Sequence, residues 1–320
     1  LLTVLVSPIY AEDPSLIGTL RSRFPEVDFV GIGREAPFPP AVHQAQVLLY
    51  GGLTKPVLSA LLNQAPKIDW IHTGTAGFDW LMVPEVEARS IPISRTLHAM
   101  DTPIAEFVMA TMLAHFKNLA RLLDAQQRRA WEPPMHGELF GKTLGIVGAG
   151  SIGARIAGYA QAFGMRVLGT KRSPEPQPGF DAIHSPGALP MLLEASDVVV
   201  LACPLTPETR HMMGYAEFQQ MKRNSYLINI ARGALIVEAD LIRALNEGLI
   251  AGACLDVFEL EPLPADSPLW NIPSLFISPH CSYRSPQVRA RVIDEFSENL
   301  KRYLSGKPVK NTMRHVALGY

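Results

Sequence analysis

The sequence predicts an α/β protein built of two doubly wound, parallel-sheet domains, and three observations predict it. An apolar run at residues 144–147 leads into Gly148, Gly150 and Gly153, spaced GxGxxG, and then into an Ala-rich amphipathic stretch at 152–163. That order reads as strand, tight turn and helix. Short apolar runs alternate with helical patterns through most of the chain, which is the rhythm of a parallel sheet. Finally, 320 residues exceed one comfortable core.

From the start of the chain, strands are expected at Thr3–Ser7, Val27–Gly31, Val47–Tyr50, Trp70–Thr73 and Pro92–Ser94, with helical patterns such as Val57–Leu62 between them. The segment TGTAGFD, residues 73–79, ends a strand in small residues. There an open sheet offers backbone N–H groups to a ligand, although a plain strand-to-helix turn reads equally well. HAMDT, residues 98–102, reads as a crossing between domains. Pro103 then opens a single long buried helix over Ile104–Ala125. RRAWEPPMHGELFG loses periodicity and carries two prolines, so it is expected to be an exposed arm, with Trp131 either a contact surface or folded over its own domain. Beyond the glycine turn come strands at Arg166–Gly169, Asp197–Leu201, Tyr226–Ile230, Gly252–Asp256 and Leu275–Ile277. Pro286–Leu304 closes the pattern as one amphipathic helix.

Basic and acidic residues number 29 and 30, for a net charge of −1, and no long run of one sign occurs. That balance offers nothing to nucleic acid or an anionic membrane, so a small-molecule ligand is expected. Three cysteines, Cys203, Cys254 and Cys281, lie in apolar settings without a CxxC pair, so neither a disulfide framework nor a metal is expected. The opening LLTVLVSPIY lacks a basic leader, and no run approaches the roughly 18 apolar residues of a span. A soluble, cytoplasmic protein is the expectation.

The glycine turn implies dinucleotide binding, with the pyrophosphate at the helix N-terminus. Three further groups follow strands of the same domain: Arg232 in NIARG, Glu261 before Pro262, and His280 in SPHCS. An arginine grips a carboxylate with two parallel hydrogen bonds, a histidine exchanges a proton near neutral pH, and a carboxylate beside it fixes its tautomer. Singly each has a bland reading as surface charge, solvated turn residue or interior histidine. Together, beside a dinucleotide site, they fit a carboxylate anchor plus an acid/base pair.

TAGFD, PIAEF, GKTLGIVGAGSIG, PLTPETR, MKRNSYLINIARG, GLIAGACLDVFELEPLP and SPH recur here in an order that resembles the D-isomer-specific 2-hydroxyacid dehydrogenases, glyoxylate/hydroxypyruvate reductases among them. The resemblance covers nearly the whole chain. It implies a Rossmann dinucleotide-binding domain, residues 99–282, inserted into a flavodoxin-like substrate domain, residues 1–98 and 283–320, with the active site in the cleft between them. It implies hydride transfer between a nicotinamide cofactor and a 2-keto acid/D-2-hydroxy acid pair. Arg232 would hold the substrate carboxylate and polarise the keto oxygen, His280 would be the general acid/base and Glu261 its partner, while the Ala76–Gly77 backbone takes the other carboxylate oxygen. Cofactor contacts would come from Gly148, Gly150, Ser151, Ile152, Gly153, Cys203, Pro204, Thr209, Ile230, Ala231, Arg232, His280 and Asp256, the last holding the nicotinamide carboxamide. A homodimer paired through the arm around Trp131 is also implied. Side-chain specificity would lie in the first domain, at Tyr50–Gly51–Gly52 and Phe78–Met82, and the substrate itself is not named by the sequence. The same fold and the same Arg, Glu and His occur in C-terminal-binding-protein corepressors, which makes a nicotinamide-sensing binding protein the second reading.

One departure from the commoner family pattern bears on the cofactor. Where an NAD-binding unit places an acid about 20 residues after the first glycine, this chain has Thr170-Lys171-Arg172-Ser173, with Lys171 at the acid's place. Two cations flanked by hydroxyl residues form a pocket for a dianion, so NADP(H) is expected to be preferred over NAD(H).

Overall fold

The computed structural model describes residues 1–75 and 81–312. Ala76, Gly77 and Phe78–Trp80 therefore lie outside the described residues. The chain divides into two compact units, one of Leu1–Met100 with Ser285–Tyr320 and one of Asp101–Arg284.

The first unit runs β1 (Leu2–Val6), α1 (Pro8–Ala11), α2 (Pro14–Arg23), β2 (Val27–Gly31), β3 (Val47–Tyr50), α3 (Lys55–Gln64), β4 (Trp70–Thr73), α4 (Pro84–Ala88) and β5 (Ile93–Arg95). Its five strands are parallel in the order β2-β1-β3-β4-β5, the flavodoxin-like arrangement. The β3 and β4 residues are buried throughout, as strands covered on both faces must be.

In the second unit follow α5 (Asp101–Phe116), α6 (Leu119–Gln127), β6 (Thr143–Val147), α7 (Ser151–Ala162), β7 (Arg166–Thr170), β8 (Ala182–His184), α8 (Leu189–Ala195), β9 (Val198–Leu201), α9 (Tyr215–Gln220), β10 (Tyr226–Asn229), α10 (Glu238–Asn246), β11 (Gly252–Leu255) and β12 (Leu275–Ile277). Seven parallel strands lie in the order β12-β11-β10-β9-β6-β7-β8. The order reverses between β9 and β6, the crevice where doubly wound sheets take their ligands.

The last helix, α11 (Pro286–Leu304), returns to the first unit. Its Ser285 N-cap accepts from Gln287 N–H, and its stripe of Val288, Val292, Ile293, Phe296 and Leu300 packs with Val4, Val6, Phe29 and Trp70 of the five-stranded sheet. The Trp70 ring stacks on Phe296 at 5.5 Å and on Tyr303 at 5.2 Å. Glu295 of the same helix accepts the N–H groups of Leu97 and His98, fastening the segment just before the chain leaves this unit.

Two expectations need correction or choice. The single long helix over Ile104–Ala125 is two helices, because Asn118 turns left-handed at φ +51. The break is held by the arm: Asn118 donates to Met135 O, Lys117 to Gly137 O, and Gly137 N–H to Phe116 O. Of the two readings of Trp131, the structure selects the exposed one, for its side chain is 97 % exposed rather than folded over its own unit. No helix among the described residues is long and apolar enough to cross a membrane.

His72 on β4 is fully buried, with Nδ1 on Ser94 Oγ at 2.7 Å and Nε2 on Thr96 Oγ1 at 3.0 Å. Burial disfavours the charged ring and lowers its pKa to about 3. On acidification the unfolded chain takes up this proton near pH 6.5, whereas the folded chain does so only near pH 3. Stability from this group is therefore complete above pH 6.5 and falls by about 1.4 kcal/mol per pH unit between the two values. Denaturant unfolding between pH 6.5 and 4 is expected to show a steeper loss in the wild type than in His72→Gln, by close to one proton. Equal slopes would contradict this account.

Candidate active site

All seven strands of the second unit run the same way, so every residue just past a strand's C-terminal end lies on one edge of that sheet. In strand order the edge carries His280 after β12, Asp256 and Glu261 after β11, Arg232 after β10, Cys203 and Pro204 after β9, the glycine turn after β6, and Lys171 after β7. At about 4.8 Å per strand, the ends of β7 and β10 stand roughly 14 Å apart.

The glycine turn is fixed by close approaches. Gly148 sits at φ +110, and a Cβ there would lie 2.6 Å from Cys203 N and 2.7 Å from the Ala202 carbonyl carbon. A Cβ on Gly153 would lie 2.4 Å from Gly148 O, so only glycine lets α7 start so near its own strand. At Gly150, by contrast, a Cβ would meet no atom within 4 Å, and α7 begins there without a side-chain cap. The helix N-terminus thus opens on space lined by backbone, which fits a pyrophosphate. Thr170 O accepts from the N–H groups of both Gly148 and Ala149, tying the turn to the end of β7. The Ser151 hydroxyl donates to buried Asp101 at 3.1 Å, and Ile152 is half-buried.

The loop after β7 departs from the pocket expected of it. Thr170 is 4 % exposed and contributes its carbonyl, not an open hydroxyl, because it is the last inward residue of a buried strand. Lys171 is half-buried, with its N–H on His184 O, while Arg172 and Ser173 are exposed. After β9, Cys203 is buried and desolvation pushes its thiol up to about 11, so it is an apolar wall and no nucleophile. Thr209 accepts from Thr206 N–H at 2.7 Å and donates to Pro204 O at 2.8 Å, closing that loop on itself.

After β10, Ile230 and Ala231 are buried and Arg232 is half-buried. Asn229, fully buried at the strand's end, accepts from Ala231 N–H at 3.1 Å and donates to Arg232 O at 2.8 Å. It holds the turn that presents the arginine. Sequence reasoning passed over it, although a buried asparagine ending an apolar strand is a signal, since such an amide must be hydrogen-bonded. At Gly233 a Cβ would fall 1.9 Å from the Phe258 carbonyl carbon and 2.3 Å from Glu259 N. The Arg232 turn is therefore laid directly on the backbone that leads to Glu261.

Glu261 Oε1 accepts from Phe258 N–H, and its Oε2 meets His280 Nδ1 at 2.7 Å. The two side chains are 29 % and 30 % exposed, which leaves the pair reachable. His280 adopts a left-handed φ of +49, a costly conformation outside glycine, and is held there by its N–H bonds to Asp256 O and Ser278 O. Asp256 is fully buried. Its Oδ1 accepts from Ser278 Oγ and from Cys281 N–H, and Ser282 N–H is shared between Oδ1 at 3.2 Å and Oδ2 at 3.1 Å. It thus fastens the His280 loop, a role that the sequence reading had not given it. Of the predicted residues, the structure joins Glu261 with His280 directly and brings Arg232 and Asp256 onto the same folded edge. Ala76 and Gly77 lie outside the described residues.

Residues 109–282 match a family model described as D-isomer specific 2-hydroxyacid dehydrogenase, NAD binding domain. The chain is 35 % identical over 263 residues to a glyoxylate reductase of Korarchaeum cryptofilum (80 % of this chain, 79 % of that protein). It is 36 % identical over 276 residues to a glyoxylate/hydroxypyruvate reductase B of Citrobacter koseri (84 % and 85 %). Among solved structures it resembles an NADPH-dependent glyoxylate/hydroxypyruvate reductase of Sinorhizobium meliloti in complex with NADP and sulfate, with a TM-score of 0.85, 27 % identity and 99 % of each chain covered.

Proposed function

The chain belongs to the D-isomer specific 2-hydroxyacid dehydrogenase family, enzymes that exchange hydride between a CH–OH group and a nicotinamide cofactor, and we propose that it reduces small 2-keto acids of the glyoxylate and hydroxypyruvate type with NADPH. The observation that carries this reading is the 2.7 Å bond between His280 Nδ1 and Glu261 Oε2, on the sheet edge that also bears Arg232 and the glycine turn.

A nicotinamide cofactor bound here would supply the hydride. The pyrophosphate would rest on the α7 N-terminus at Gly150, and the loop that Asp256 fastens would hold the carboxamide. Arg232 presents a planar fork to the substrate carboxylate and its neighbouring keto oxygen. Glu261 keeps the His280 proton on Nδ1 in the neutral ring, so that Nε2 is the nitrogen that carries and delivers the exchangeable proton. The keto oxygen takes that proton as its carbon gains hydride, leaving a neutral imidazole that recharges from water. The same groups run the reaction backward with His280 as base.

The NADPH preference rests on Lys171 and Arg172 where an acid would repel a 2′-phosphate. The homodimer reading rests on the arm and α6, where the large apolar side chains of Trp131, Met135, Phe140 and Leu123 are 97, 91, 76 and 60 % exposed.

Three measurements test these statements. His280→Gln is expected to lower kcat on glyoxylate or hydroxypyruvate by about 10² to 10⁴, and a near-normal kcat would remove His280 from its role. For the cofactor, kcat/KM should favour NADPH over NADH on the same keto acid, and more so at low salt; a Lys171→Ala/Arg172→Ala double variant with the wild-type ratio would speak against that loop. In sedimentation the protein should run at twice the 35.1 kDa of one chain, and Trp131→Glu should shift it toward the monomer.

A further inference from the structure

We infer that Gln177 is a positioning residue for cofactor choice: it holds the Lys171 ammonium against the glycine turn, where that charge reads a 2′-phosphate. The inference rests on the NADP(H) reading above and names the device behind it.

Gln177 lies in the loop that joins β7 to β8 and is half-buried among exposed neighbours. With its amide oriented to satisfy both partners, its nitrogen donates to Ala149 O at 3.0 Å and its oxygen accepts from Lys171 Nζ at 2.9 Å. Ala149 stands between the first two glycines of the turn, and its N–H is already bound to Thr170 O. Both backbone groups of that residue are thereby committed, one to the strand end and one to the loop. A primary amide is the side chain suited to this bridge, because it offers a donor to a carbonyl and an acceptor to an ammonium at once. A carboxylate could not donate to Ala149 O, and an aliphatic chain could do neither.

The position of Gln177 is itself held. Gly179, two residues on, sits at φ +93 with its Cα so close to α7 that a Cβ would lie 3.1 Å from Gly158 N. Lys171 is pinned at its backbone by its N–H bond to His184 O. Its ammonium is then restrained just past β7, where the ribose of a bound dinucleotide meets a doubly wound fold. Arg172 next to it is exposed, so its attraction to phosphate is diluted by water and salt. A restrained, half-buried cation loses less conformational freedom on meeting a dianion than the same side chain would without its restraint. Gln177 therefore makes Lys171 a reader of the 2′-phosphate at physiological salt.

The test is calorimetric binding of adenosine 2′,5′-bisphosphate and adenosine 5′-phosphate to the whole protein, wild type and variants, at physiological salt. Wild type should bind the bisphosphate more tightly. Gln177→Leu should cut that ratio on the order of tenfold, the worth of a hydrogen bond to a charged group. Gln177→Glu should cut it further, because a carboxylate beside Lys171 competes with the phosphate. In both, affinity for the 5′-phosphate should change far less, and KM for NADPH should rise more than kcat falls. A wild-type ratio in both variants would overturn the inference while leaving the NADP(H) reading intact. A wild type that does not distinguish the two nucleotides would overturn both.

Discussion

The parallel alignment of the seven strands is the constraint from which the site follows. A parallel sheet sends every strand's C-terminal end to one edge, so six successive loops deliver chemistry there without any of them having to be long. Position along the edge is then set by strand order: the hydrogen-bonded Glu261 and His280 belong to β11 and β12, the arginine to β10, and the glycine turn with its basic loop to β6 and β7. The topology that makes this possible needs strands covered on both faces, and β9, β10 and β11 are buried at every residue.

Alignment alone would leave the loops loose, and two devices tighten them. The first is the removal of side chains where backbones meet: Gly148 against the end of β9, Gly153 against Gly148 and Gly233 against Phe258. Any larger residue at Gly233 would part the Arg232 turn from the segment that carries Glu261. The second is the use of buried polar side chains as clasps. Asn229 binds the arginine turn and Asp256 the histidine loop, each fully buried and each hydrogen-bonded to backbone groups of the loop it holds. An orphaned buried donor or acceptor costs about 1–3 kcal/mol, so these clasps hold their loops in one arrangement. The left-handed conformation of His280 persists only because such bonds surround it.

The sequence by itself determined the α/β class and most strand positions, and it pointed to the groups proposed to react. Its apolar runs match β2, β3, β4 and β12 residue for residue, and the helix Pro286–Leu304 as well, since burial on both faces of a sheet and the 3.6-residue helical period leave direct marks on residue order. The glycine spacing and the residues after each strand were legible for the same reason. The tertiary structure alone decided what depends on contacts distant in sequence. It broke the helix at Asn118 because the arm returns to hold that turn, and it buried Thr170 within the sheet. It also gave Asp256 a structural duty and set Gln177 between Ala149 and Lys171. Residues such as Asn229 and Gln177 carry no periodic signal, because a single hydrogen-bonding amide acts through the partner it meets, and that partner is chosen by packing.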